Sequence, residues 1–202
     1  MIALGLPPPS EGLVLDHIAL GRGTQNYTCA DNTAGSKPVA AGAVAVLFNV
    51  TCMAGPYGGL LDALPAIALK YPFPTAEQII GSDARDFFLG EHYFEGNATT
   101  TAPVTPFFNL NTEVAEYGMV GLGLQTKNDA KSDPANNVMN LKLAQKNRDG
   151  CRVQEVYRLN SAGGQPPKTC EGLPKTFEVQ YATEYWFWSD PKGNIRTGTY
   201  GA

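Results

Sequence analysis

Long hydrophobic runs are missing from this chain. The longest uncharged apolar stretch of its 202 residues, Val39 to Phe48, has ten residues, about half of the ~20 that a membrane-spanning helix needs. Charge is sparse too, at 17% of residues. Fifteen Lys and Arg against nineteen Asp and Glu give a net charge of −4 and a pI near 5.2, which removes the electrostatic basis for binding nucleic acid or an anionic membrane surface. Histidines number two and cysteines four. No CxxC unit occurs, and neither His17 nor His92 lies near a cysteine at ligand spacing, so no metal site is expected. Gly-x-Ser-x-Gly and the Walker phosphate-loop motif are absent, and with them the local signatures of serine hydrolases and P-loop enzymes. Gly121-Leu122-Gly123 supplies two of the three glycines of a dinucleotide fingerprint with no helical pattern behind it, so no nicotinamide cofactor, or any other, is expected. The glycines read instead as a strand with close backbone contact or a bulge. The start, Met1-Ile2-Ala3-Leu4-Gly5 followed by Pro7-Pro8-Pro9, lacks the basic and apolar regions of a signal peptide. It resembles the beginning of a processed secreted chain.

What is present is the composition of a folded, turn-rich protein: 43% hydrophobic residues, 22 Gly and 15 Pro. Alternation at period two marks strands at 139–143, 44–50 and 153–159, with further candidates at 13–20, 22–29, 104–110, 117–125 and 177–188. The expected fold is mostly β, a single-domain antiparallel sandwich or barrel. Its parts are a Pro-rich arm over 1–12, a body over 13–188 and a C-terminal turn and tail over 189–202. The apolar stretch near 56–90 breaks the pattern. Pro65, Pro72 and Pro74 should limit any helix there to a turn or two, and the stretch should pack over an open face or end of the β-structure as a lid or a plug.

Four cysteines allow three pairings. Cys29 with Cys52 and Cys151 with Cys170 closes two short loops and is the expected arrangement. Sequons at Asn26, Asn49 and Asn97 make these asparagines candidate glycosylation sites. His92, with Glu91, Glu95, Asp83 and Asp86 within ten residues, is the candidate general base or metal ligand; the alternative is a half-buried histidine bonded to backbone. Over 177–188 the odd positions Tyr181, Tyr185 and Phe187 form an apolar face. Trp186 and Trp188 then lie on the opposite face beside Glu184, as a platform for a sugar ring or as a small second core under the arm or the 56–90 segment.

Leu20-Gly21-Arg22-Gly23-Thr24-Gln25-Asn26-Tyr27-Thr28-Cys29, Gly90-Glu91-His92-Tyr93-Phe94, Val156-Tyr157-Arg158-Leu159-Asn160-Ser161-Ala162-Gly163-Gly164-Gln165-Pro166-Pro167 and Val179 to Phe187 together resemble a family of secreted fungal proteins of unknown function. Its members often carry the automatic label "malate dehydrogenase", and it has bacterial relatives. The resemblance runs from about residue 6 to 188 and implies secretion, a mostly β single domain and disulfides, with no catalytic residue to carry over. Where members commonly read Gly-His-His-Tyr-Phe, this chain has Glu91 for the first histidine. The expectation is a secreted, extracellular protein without dehydrogenase activity. It acts by binding a wall or plant polysaccharide or a host protein; a carbohydrate hydrolase with carboxylates near His92 is the alternative.

Overall fold

The computed structural model of the protein describes residues 5–72, 74, 78–79, 81–95, 104–113, 115–149 and 151–192. Eight strands, β1 (Val14–Thr28), β2 (Val39–Asn49), β3 (Phe88–Glu95), β4 (Thr105–Asn111), β5 (Glu116–Asn128), β6 (Asn140–Asp149), β7 (Val153–Gly163) and β8 (Thr176–Ser189), form one closed antiparallel barrel in chain order. β1 closes the ring on β8, with Thr28 opposite Thr176 and Ala19 opposite Tyr185. The expected choice between sandwich and barrel is thus resolved in favour of the barrel.

Alternation decides which side chains fill it. Ala19, Leu47, Phe108, Val120, Leu143, Val156, Tyr185 and Phe187 belong to one buried cluster. Phe108 meets Tyr185 and Phe187 edge-on, with ring centroids 5.0 and 5.4 Å apart, an arrangement aromatic quadrupoles favour. An apolar interior is the reverse of a lipid-facing barrel, whose apolar side chains point outward. No helix among the described residues is long and apolar enough to cross a membrane.

Glycine does here what a turn reading misses. Segments 13–20 and 22–29 are one strand, because Gly21 and Gly23 are points of close approach. A Cβ on Gly23 would stand 1.8 Å from the Val44 carbonyl oxygen, and one on Gly21 2.6 Å from the Tyr185 ring. In β5, Gly121 and Gly123 likewise lie in a strand, beside a register shift at Gly121/Leu122, and the strand runs on to Asn128.

The 56–90 stretch folds outside the ring. Helix α1 (Gly58–Ala68) contains Pro65 and packs on β1, β7 and β8. It is longer than the turn or two expected from its prolines, because Pro65 is buried against the barrel and tertiary packing offsets the missing hydrogen bond. As expected, the stretch packs over a face of the β-structure, α1 covering its outer side. Arg22 of β1 fixes it there, Nε donating to the Ala68 carbonyl at 3.2 Å and a terminal nitrogen to that of Tyr71 at 3.0 Å. Farther along, Ile79 is buried with Val46 and Phe88 on the outside of β2 and β3.

The expected cysteine pairing is corrected. The disulfide is Cys29–Cys170, with Cα atoms 5.9 Å apart; Cys52 is exposed, Cys151 is buried, and neither is in a disulfide. Antiparallel neighbours explain why. Cys29 follows β1 and Cys52 follows β2, so they lie at opposite ends of the barrel, separated by an 11-residue strand of roughly 36 Å. Cys151 and Cys170 flank β7 in the same way. Ring closure instead sets Cys29 beside the approach to β8, where its N–H donates to the Lys175 carbonyl at 2.8 Å.

Candidate functional site

The His92 constellation does not assemble. His92 faces into the barrel, 4% exposed, its ring stacked on Phe108 at 4.3 Å and its Nδ1 2.8 Å from the Phe107 carbonyl. Glu91 faces the other side of β3, and Glu95, Asp83 and Asp86 are exposed. The backbone-bonded alternative therefore describes this histidine; in the catalytic set of His92, Glu91, Glu95 and Asp86, strand parity turns Glu91 and Glu95 away from His92, and Asp86 is exposed on the turn before β3. Among the described residues no group of three or more His, Cys, Asp or Glu side chains could hold a metal ion.

Burial pushes the His92 imidazole down to about 4. An unfolded histidine takes up its proton near pH 6.5, so the unfolded state binds more protons between about 6.5 and 4 and stability falls as pH drops through that window. The contribution is about 3 kcal/mol. Glu184 tilts the other way, since burial raises its carboxyl and folding then weakens as pH rises through that raised value. Urea midpoints of His92→Leu should lose the acid-side fall; an unchanged slope below pH 6.5 would contradict a neutral buried imidazole.

Tyr181, Tyr185 and Phe187 point inward and are almost fully buried, which places Trp186, Trp188 and Glu184 outward. The outer face is covered, however. Both tryptophans are half-buried and pack with Leu6, Tyr157 and Leu159, and the arm is held over them by Tyr157 Oη donating to the Pro7 carbonyl at 2.9 Å. Glu184 is fully buried, accepting from Trp186 Nε1 at 2.7 Å and Asn160 Nδ2 at 2.9 Å. The small second core under the arm is thus what these residues form, and no free carboxylate stands beside the indoles. Of the sequon asparagines, Asn26 and Asn49 are half-buried; Asn97 lies outside the described residues.

A different site opens at the upper end, where β1, β3, β5 and β7 finish. An apolar pocket of about 400 Å³ lies between β3 and β6, lined by Phe94, Pro106, Leu122, Leu124, Leu141 and Leu143 among others. Leu122 and Leu143 belong to the main core, so the pocket reaches inward, while Leu124 at its rim is 55% exposed. On the other side of the same end Val138 packs on Ala43, Ala45 and Tyr181, and Tyr27 Oη donates to the Gly164 carbonyl at 2.7 Å. Among the described residues, loops therefore cover the β1–β2–β8 side and none covers the β3–β6 side.

Polar side chains gather beside this pocket. Arg158 of β7 is the register partner of Leu141 and of Tyr185. Its Nε and one terminal nitrogen donate to the Met139 carbonyl at 3.1 and 3.0 Å, and it also bonds to the Tyr185 side chain. Tyr185 Oη and Tyr181 Oη are 2.9 Å apart, and burial raises both phenols. Gln25 donates to the Tyr181 hydroxyl, in a contact that falls outside good hydrogen-bond geometry for its buried Nε2. Motif reading does not single out these residues. The available signal was a charge at the apolar parity of β7, two positions after Val156. A second groove of about 550 Å³, at Gln165 to Lys168 and Phe177 to Val179, holds no buried unpaired polar atom.

Residues 9–189 match the family model described as "Protein of unknown function (DUF3455)". No curated protein and no solved structure matches the chain.

Proposed function

The chain belongs to the family described as Protein of unknown function (DUF3455), and we propose that it is a secreted binding protein that takes a small apolar molecule into the upper mouth of its barrel, without dehydrogenase activity. The single observation that carries this is the pocket between β3 and β6, apolar, about 400 Å³ in volume and open at the Leu124 rim. Eight-stranded barrels are just wide enough to hold one small ligand, and pockets of roughly 300–1,000 Å³ with few polar groups suit such ligands. The Cys29–Cys170 disulfide supports an oxidising compartment, which fits the secreted reading. The polysaccharide reading rests on Trp186 and Trp188, whose faces Leu6 and Tyr157 occupy, so the mouth is the better-supported location.

The test is titration with a neutral fluorescent probe, N-phenyl-1-naphthylamine, against the native protein and Leu124→Trp. Filling the rim with an indole should weaken probe binding tenfold or more without loss of stability, because Leu124 is largely exposed. No saturable binding to the native protein, or binding at the native level by both Leu124→Trp and Leu141→Trp, would remove the mouth from consideration.

A further inference from the structure

We propose that the ligand is a monoanionic amphiphile, a straight-chain carboxylate whose tail fills the apolar pocket and whose head meets Arg158 and Gln25 inside the barrel. The inference rests on the pocket reading above and adds the head group to it.

Three observations converge. Arg158 occupies an interior position, between Leu141 and Tyr185 across its two strand neighbours, yet no Asp or Glu among the described residues pairs with it; the acid–base pairs are elsewhere. Arg158 is half-buried, and a guanidinium drawn even partly out of water on a barrel's inner face usually has a carboxylate partner, because desolvation of the charge is costly. The Met139 carbonyl and the Tyr185 hydroxyl offset its donors but not its charge.

Gln25 then adds a second donor. It is 8% exposed, and its Nε2 makes only a poorly aligned contact to the Tyr181 hydroxyl, which in turn meets that of Tyr185. Guanidinium, two phenols and an amide thus form a continuous donor-rich wall, and His92 nearby is neutral. Negative charge is what this wall lacks, and an anionic acceptor supplies it.

Charge and shape select the class. Inside the barrel Arg158 balances one negative charge, and a phosphate dianion would leave a net charge there at considerable cost; Lys146 also lines the pocket but is exposed to water. The planar fork of arginine matches the two oxygens of a carboxylate. Leu141, the cross-strand neighbour of Arg158, also lines the pocket, so a head at the guanidinium continues directly into an apolar tail.

The experiment compares decanoate, decanol and decylamine by displacement of N-phenyl-1-naphthylamine, with native protein and with Arg158→Met. In the native protein the expected order is decanoate, then decanol, then decylamine. Decanoate should lead decanol by roughly ten- to hundredfold, the range for a hydrogen bond to a charged group. Arg158→Met should bring decanoate down to the decanol level and leave decanol unchanged. Gln25→Leu, which removes the poorly aligned donor beside Tyr181, should weaken decanoate severalfold and decanol not at all. Equal affinities for decanoate and decanol in the native protein would overturn the head-group assignment, and this arm needs no variant to fold. Unaltered decanoate binding in a folded Arg158→Met would overturn it as well. In both cases displacement by decanol would leave the apolar pocket standing. Failure of the neutral probe and of all three compounds to bind would instead dismiss the pocket, and the head group with it.

Discussion

Replacing Cys29 or Cys170 by serine is expected to lower the unfolding free energy by roughly 5 kcal/mol in the chain-entropy model, since the bond closes a loop with a sequence separation of 141. Measured losses for native disulfides run about 2–5 kcal/mol, so even the lower bound is a large share of the ~5–15 kcal/mol that holds a domain together. The bond joins the end of β1 to the approach to β8 and so locks the seam where the ring closes. Cys52→Ser should change stability by less than about 0.5 kcal/mol, because the residue is exposed and such surface changes rarely do more. Alkylation under native conditions should reach Cys52 first, and in denaturant without reductant Cys52 and Cys151 only. Four reactive thiols, or peptide maps joining Cys29 to Cys52, would refute this connectivity. Equal urea midpoints for Cys29→Ser and the native protein would refute its weight.

That the pairing misleads from sequence has a physical cause which also marks what the chain reveals and conceals. Period-two alternation reports which side chains share a face. Tyr181, Tyr185 and Phe187 of β8 are therefore legible as inward, and so is the separation of Trp186 and Trp188 from them. Alternation carries no information on which distant strand lies alongside. β1 pairs with β8 only because the ring closes, and short-loop reasoning at the cysteines fails there. Gly21 reads as a break between 13–20 and 22–29 for a related reason: close approach of the Tyr185 ring at Gly21, and of the β2 backbone at Gly23, is a property of the packed barrel. Gly90 hid β3 in the same way. Its φ of +142° and a would-be Cβ 2.1 Å from the Asn109 carbonyl oxygen belong to a bend in a strand, and His92 behind it is an interior side chain. The pocket was illegible because its lining comes from four strands whose leucines look like any core residues. Arg158 left one trace, a charge on an apolar parity, whose meaning depends on the absence of a nearby carboxylate.

The arm was legible as extended, Pro-rich and one of two covers for the indoles, but what anchors it was not, and a single buried ion pair accounts for the difference. Lys142 Nζ lies 3.1 Å from Glu155 Oε2, with both side chains under a tenth exposed, and donates to the Pro8 carbonyl at 2.8 Å. Glu155 in turn accepts from Ser10 Oγ at 2.6 Å and from the Ser10 N–H at 3.2 Å. Two strands of the barrel thereby hold the arm at two points, and Leu6 is delivered onto Tyr157 and the indoles. Lys142→Met removes one partner and leaves a buried carboxylate without its cation, a change that typically costs about 3–5 kcal/mol. Release of the arm is the route by which Glu155 regains water, so the variant should expose Trp186 and Trp188, shifting their emission to the red and admitting acrylamide. Lys142→Met combined with Glu155→Leu leaves no stranded charge, and should recover a good part of the stability while the arm, deprived of both anchors, stays loose. Stability and tryptophan exposure therefore separate in the double variant. A single variant within about 1 kcal/mol of the native protein, or one whose indoles stay shielded, would mean that the arm is held by Leu6 and the Tyr157–Pro7 hydrogen bond instead of by the ion pair.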